Sequence, residues 1–425
     1  MKYGLLTLTF HFIFGSVNAA WRSAYFTRER SSIPLAKIPR DHIANLTHLT
    51  YSFAHLDTSL NCAVLPHEIT DSDGRILAGD LLTLFQFKKD YRNLKTGVSI
   101  SGLFGDVALS KRGFEKFIDS VANLVINYGL DYIDIDWEFP VIGEDSENGA
   151  KGSSADKNTF IVLAKALHER FQNFPGPLKP KLSIALPCPW NYIKNYDIGN
   201  LHVYLDMIHL MAYDFNTPAG KMAYHQANLY SDHNIPATSI QNTTDYLSSV
   251  GVPLNKVVLG IPAYAYTFRN LGTDKGLGAP INQPGYEEQK NSNSDYASQA
   301  LLRTIPSIYQ DMHMKWDSAT QSSYLYNPDA QSLTTLETKR SVKAKTDFII
   351  KNGLGGAFLW SLAWEDTHPF STGLLSKINE DLGGLGSDEE NNLDFPNSKF
   401  KNVRSDAILT IPALPAYALI FLFLL

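Results

Sequence analysis

The sequence predicts an α/β fold: a (β/α)8 barrel (TIM barrel) with a small α+β insertion between its seventh and eighth strands. Three observations carry this expectation. Eight short apolar runs of strand character recur along the chain, amphipathic helical stretches separate most of them, and one long turn-rich interval breaks the rhythm late in the sequence. Strands alternating with helices imply a parallel sheet with right-handed crossovers, and eight repeats allow that sheet to close on itself. The chain has 425 residues, 44% hydrophobic and 19% charged, so it can bury a large core, and a length of this order fits one barrel as well as several smaller domains.

In chain order the strand candidates are Trp21–Phe26, Leu49–Leu56, Thr96–Ser101, Tyr132–Asp136, Leu182–Leu186, Met207–Met211, Val257–Ile261 and Gly355–Trp360. A helix is predicted over Gly113–Tyr128, where Phe114, Phe117, Ile118, Val121, Leu124 and Val125 fall on one stripe. From about Tyr264 to Leu336 the text is rich in Tyr, Gly and Pro. A structureless loop of that length is uncommon in a compact domain, so an insertion at the barrel rim is expected. The catalytic barrel is expected over residues 20–385. The acidic, polar segment Gly386–Asn397 then reads as the start of a linker over 386–406.

Both ends carry targeting signals. Lys2, the apolar run Gly4–Phe14 and the small residues Val17-Asn18-Ala19 have a signal-peptide layout, placing the leader at residues 1–19. At the other end, residues 407–425 are uncharged and follow a polar spacer. No basic residues come after this run, so it resembles a glycosylphosphatidylinositol (GPI) attachment signal more than a stop-transfer helix. A retained tail anchor is the alternative. An extracellular, surface-attached protein is therefore expected, with sequons at Asn45 and Asn242 as glycosylation sites. The two cysteines, Cys62 and Cys188, are too few for a disulfide scaffold. A net charge of -6 offers no basic face for nucleic acid. The histidines are scattered without ligand spacing, so neither a metal nor another cofactor is expected.

The chemistry concentrates in Asp131-Tyr-Ile-Asp134-Ile-Asp136-Trp-Glu138. On a strand, residues two apart share a face. Asp134, Asp136 and Glu138 therefore point one way, and Ile133, Ile135 and Trp137 the other. In a barrel the apolar set meets the outer helices, which sends the carboxylates inward with Glu138 at the C-terminal mouth. Like charges crowded together in a confined interior raise one another's pKa, which can supply a general acid near neutral pH.

This row resembles the Asp-x-x-Asp-x-Asp-x-Glu signature of the glycoside hydrolase family 18 chitinases, matched by Asp131, Asp134, Asp136 and Glu138. Further resemblances are Ala24-Tyr-Phe-Thr27, Tyr51-Ser-Phe-Ala54, Ser99-Ile-Ser-Gly102, Met211-Ala-Tyr-Asp214, His225–Tyr230, Gly260–Tyr264 and Gly353–Trp360. The resemblance implies a single-chain enzyme that cleaves β-1,4 bonds of chitin or chitooligosaccharides with retention, the substrate's own acetamide acting as nucleophile. Glu138 would be the acid, Asp136 would orient the acetamide, Asp134 would share a proton with Asp136, and Tyr213 would bond the acetamide oxygen. Tyr25, Phe53, Met211, Asp214, Tyr264 and Trp360 would line the sugar site, while Asp131 would either touch sugar or cap structure.

Three positions depart from the family's pattern. Tyr132 and Ser101 stand in place of glycines and threaten to crowd the backbone near the acids. Tyr266 stands in place of an arginine. Two alternative functions share the barrel: a catalytically silent chitin-binding lectin, and an endo-β-N-acetylglucosaminidase acting on N-glycans.

Overall fold

The computed structural model describes residues 20–400, apart from 29–32, 58–61, 65–68, 71–75, 106, 108–110, 144–151, 175, 177–178, 233–237, 270, 272–275, 282–298, 302–312, 366–372 and 384–388. The expected leader at 1–19, the end of the expected linker and the apolar run 407–425 lie outside the described residues. Among the described residues, no helix is long and apolar enough to cross a membrane.

Eight strands form the barrel: β1 (Trp21–Thr27), β2 (His48–Asp57), β3 (Lys95–Ser101), β4 (Tyr132–Asp136), β5 (Lys181–Pro187), β6 (Met207–Met211), β7 (Val257–Pro262) and β8 (Gly356–Trp360). Each pairs in parallel with its neighbours, and β1 pairs with both β2 and β8, so the sheet has no open edge. Outside the strands lie α1 (Asp80–Asp90), α2 (Lys111–Tyr128), α3 (Asp156–Gln172), α4 (Ile240–Ser249), α5 (Lys339–Asn352) and α6 (Leu374–Leu382). Helix α2 buries Phe117, Val121, Leu124 and Val125 at helical spacing. Helix α5 begins in a capping box between Thr338 and Ser341 and ends at Gly353 in the left-handed conformation.

Alternation along β4 is as expected. Trp137 packs against Phe104 and Phe160 on the helical side, while Tyr132 and Asp134 bond across the barrel interior to other strands. Between β7 and β8, five antiparallel strands form a separate sheet in the order Gln299–Leu301, Tyr264–Phe268, Ser332–Leu336, Ser322–Asn327, His313–Asp317. It covers a second small core that includes Phe268, Leu271 and Leu333. Because its Tyr264 strand follows β7 directly, this sheet carries side chains to the barrel mouth.

The expected linker is a correction. Its described part, residues 389–400, is docked across the barrel base. Asn391 is 2% exposed and directs Nδ2 at the carbonyls of Lys88, Tyr91 and Leu94 at 2.7, 3.1 and 2.8 Å. Phe400 stacks on Phe85 at 4.8 Å, and Lys399 N–H donates to the Asn127 carbonyl. Polar composition suggested a solvated tether, but here the polar groups satisfy backbone carbonyls that would otherwise be orphaned. A cavity of about 150 Å³ lies between this strap and the strand starts, lined in part by Trp21, His48, Tyr132, Lys181 and Phe395.

Candidate active site

The inward row of β4 sits in three different surroundings. Asp134 is fully buried and caged. It accepts hydrogen bonds from Tyr25 Oη at 2.8 Å, Ser99 Oγ at 2.8 Å and Ser183 Oγ at 2.6 Å, with His209 Nδ1 at 3.2 Å. The cage follows from strand register, since Ser99 and Ser183 are the partners of Asp134 on β3 and β5. Burial alone would raise its pKa. The hydrogen bond and charge of His209, with the two serine hydroxyls, outweigh that and hold the carboxyl below its usual range. The lowered pKa favours the ionised form of Asp134, its lone pairs engaged by these four groups.

One step higher, a hydrogen bond joins Asp136 and Glu138. Burial, then the charges of Glu138 and Asp134, push Asp136 well above the ordinary carboxylate range, and its hydrogen bond to Glu138 adds to this. Asp136 Oδ1 is buried without a hydrogen-bond partner, an acceptor in need of a donor. Glu138 opens to the cleft but is walled by protein. Desolvation first, then the charge of Asp214, push its pKa up to about 7, with the hydrogen bond from Asp136 acting the other way. The two titrate as a pair.

Around the row stand the aromatic residues. Tyr213 is buried, and burial together with the charges of Asp214, Glu138, Asp136 and Asp134 keeps it a protonated phenol. Room for its ring comes from Gly260 on β7, where a Cβ would lie 2.8 Å from it. Tyr264 donates its hydroxyl to Asp214 Oδ1 at 2.5 Å. Trp360, half-buried at the end of β8, has its ring centre within 5.6 Å of Tyr25, 5.7 Å of Phe53 and 5.6 Å of Trp364. Met211 is half-buried at the end of β6. Such an arrangement offers a proton donor, an orphaned acceptor beside it and an apolar aromatic floor, which suits acid catalysis on a ring with C–H faces.

One expected site residue lies elsewhere. Asp131 is at the start of β4, at the barrel base, 2.8 Å from Lys88 Nζ and accepting from the backbone N–H of Thr96 and Asn392 at 2.8 and 3.0 Å. It is a structural anchor, not a sugar contact. Its side chain is where the strand enters the barrel, whereas a ligand site forms where strands leave it. The crowding expected from Tyr132 is absorbed. Its hydroxyl meets Thr50 Oγ1 at 2.8 Å, and its ring fills space left by Gly97, where a Cβ would come within 2.3 Å. Ser101 is half-buried and paired beside Asp136 in the β3–β4 register.

Sequence reading missed His209, Ser99 and Ser183 as the cage of Asp134, and Tyr196, whose hydroxyl donates to the Trp137 carbonyl at 2.7 Å. A usable signal existed for His209. It lies two residues before Met211 on the same strand, so period two turns it to the same side, one layer deeper. Cys188 is a buried thiol. Among the described residues, no group of three or more His, Cys, Asp or Glu side chains could hold a metal ion.

Residues 22–365 match the model of glycosyl hydrolases family 18. Endochitinase 1 of Metarhizium anisopliae is 29% identical over 415 residues, which span 92% of this chain and 90% of that protein. Chitotriosidase-1 of Mus musculus is 27% identical, over 77% of this chain and 69% of its own. Among solved structures, the Group IV chitinase of Ostrinia furnacalis superposes with a TM-score of 0.70 at 22% identity, covering 85% of this chain and 98% of that one. An immunomodulatory active chitinase from Trichuris suis gives 0.70 at 20% identity, over 86% and 100%. These likenesses of structure bear on the fold.

Proposed function

The chain belongs to glycosyl hydrolases family 18, and from that premise we propose that it is a chitinase, cleaving β-1,4 bonds between N-acetylglucosamine units with retention of configuration. The observation that carries this reading is the division of labour along β4. Asp134 is a caged anion, Asp136 has an orphaned buried oxygen, and Glu138 titrates near 7 at the cleft.

The chemistry follows from those states. Glu138 protonates the glycosidic oxygen as the bond to the leaving sugar breaks. The carbonyl oxygen of the substrate's acetamide attacks the anomeric carbon from the other face, giving an oxazolinium ion, so no protein nucleophile is needed. Asp136 Oδ1 accepts the acetamide N–H, orienting the group and stabilising its developing positive charge. The Tyr213 hydroxyl donates to the acetamide oxygen, and Trp360 with Tyr25 and Phe53 supports the ring. Water then opens the oxazolinium as Glu138 takes a proton back. The fixed negative charge of Asp134 below favours the cationic intermediate above it.

Glu138→Gln tests this. Hydrolysis of a fluorogenic chitooligosaccharide should be abolished while oligosaccharide binding persists, and the wild-type product should emerge as the β-anomer. An inverted product, or hydrolysis retained by the variant, overturns the assignment. A wild-type protein that binds without releasing fluorophore is a lectin, and one that releases only glycoprotein glycans is an endo-acting glycosidase.

The reading extends to location. Both sequon residues, Asn45 and Asn242, are exposed, which supports glycosylation in a secreted protein. Release from cells by phosphatidylinositol-specific phospholipase is expected for the lipid anchor, and persistence on the membrane contradicts it.

A further inference from the structure

The strap after α6 is fixed to the end of the barrel opposite the acids, along its whole described length. Lys95 Nζ donates to the Glu389 carbonyl, and Arg92 Nη2 donates to Glu390 Oε2 at 2.9 Å. Asn391 N–H donates to the Arg92 carbonyl at 2.7 Å, and Asn392 N–H to Asp131 Oδ1 at 3.0 Å, where β4 begins. The Lys88 ammonium lies 5.0 Å from the centre of the Phe395 ring. Phe400, 3% exposed, sits against Phe85 of α1 and Tyr128, the last residue of α2, with ring centres at 4.8 and 5.9 Å. Since α2 ends just before β4 starts, Phe400 is held at the base. These contacts fix where the chain leaves the barrel as well as the path that it takes.

Only residues 401–406 separate Phe400 from the uncharged run 407–425. Fully extended, a segment of that length spans about 20 Å at most. We propose that the barrel base is the membrane-facing surface of this protein: the docked strap delivers the anchored segment there, so the cleft of Glu138 opens away from the bilayer. This rests on the anchor reading. It holds equally for a lipid attached in the spacer and for an apolar segment kept in the bilayer, because both lie beyond the same fixed exit. A solvated linker would let the barrel turn freely above its anchor, whereas a short spacer on a docked strap confines it. Strand β5 separates the two ends, with Lys181 at the base and the loop after Pro187 at the mouth, roughly 15 Å apart along the axis of a barrel with tilted strands. Asn45 also lies at the base, its carbonyl accepting from Arg22 Nε at 2.9 Å, and the reach of the spacer leaves room for a glycan there. The polymer that this cleft takes is therefore one presented from the surroundings, while sugars of the bilayer beneath face the closed end.

Energy transfer on intact cells tests this with the full chain, carrying one donor dye at an introduced cysteine in a Cys62→Ser background. The remaining Cys188 is 1% exposed and shielded from label. Lys181→Cys places the dye at the base, and Trp190→Cys, at a side chain 60% exposed, places it at the mouth. With an acceptor lipid in the outer leaflet, transfer should be greater from position 181 than from position 190. That ratio should fall toward unity when about 24 Gly/Ser residues, with an r.m.s. reach of about 27 Å, are inserted after Lys401. Turnover of a soluble chitooligosaccharide by the same cells reports that each form is folded. Should a labelled variant lose it, Leu393→Cys on the strap and Met314→Cys on the insertion sheet, both exposed, form a second pair. Equal transfer from the two ends, or more from the mouth, overturns the orientation alone. A ratio that the insertion leaves unchanged overturns the strap as its cause. Protein absent from washed membranes overturns the anchor reading, and the orientation with it.

Discussion

The two ends of β4 carry the same side chain in opposite circumstances. At the base, Asp131 is met by the buried ammonium of Lys88 and two backbone N–H groups. At the mouth, Asp136 is met by Glu138 and lies above Asp134, and one of its oxygens has no partner at all. A carboxyl with a cation and full hydrogen bonding is a structural fixture. A carboxyl among other acids is kept short of a partner, which costs stability and leaves it reactive. Asp134, between the two, shows the cost can be removed inside the same barrel by four donors. The mouth is therefore a specific arrangement of side chains and not an unavoidable property of the barrel interior.

The sharpest way to break this comparison is to neutralise one acid at each end. Asp136→Asn should lower kcat by about 10²–10⁴-fold with the melting temperature unchanged or higher, since a strained carboxyl is removed. Asp131→Asn should do the reverse. It removes the charge that pairs with the Lys88 ammonium, 0% exposed, leaving it the Gly129 carbonyl alone as a hydrogen-bond acceptor, and should cost about 3–5 kcal/mol of unfolding free energy while the folded fraction keeps its kcat. Denaturant melts and initial rates on the same preparations decide both. A loss of turnover in the Asp131 variant at full folding would return that residue to the sugar site.

The difference between the ends also explains what could be read in advance. The barrel was legible because period two and strand length are local properties, and all eight predicted strands fall within two residues of those observed. The acid row was legible because three carboxylates alternate with Ile and Trp. Asp131 was not, because the signature runs the full length of a strand whose two ends meet different protein groups. His209 was hidden in Met-Ile-His-Leu-Met, which reads as an ordinary apolar strand until the opposing Asp134 is placed. The strap was hidden because composition reports which groups water tolerates, not which carbonyls await a donor at the barrel base.

A smaller effect is expected at Gly97. A methyl there would lie 2.3 Å from the Tyr132 ring, which fills the barrel just above the base. Gly97→Ala should cost about 1–3 kcal/mol, read as a lower denaturant midpoint. If the damage stays in this lower layer, KM is unchanged. A raised KM would mean that the layers are mechanically coupled.

The smallest expected effect is the most specific to the mouth. Glu138 has a folded pKa of about 7 against 4.5 for the free side chain, so the folded protein holds the proton more tightly than the unfolded chain. Stability attached to this group is therefore fully present below pH 4.5 and is lost as pH rises through about 7. Glutamine has no proton to lose. Glu138→Gln should thus melt close to wild type at pH 4 and above it at pH 8, by a few degrees at most, because the cleft admits solvent and screens the penalty. Parallel melts of Asp131→Asn should show a deficit at pH 8, because the ion pair with Lys88 is lost. Opposite signs at the two ends in neutral solution would establish that the mouth is stabilised by protonation and the base by charge pairing. Equal signs would mean that the elevated proton affinity of Glu138 belongs to the bound complex and not to the free fold.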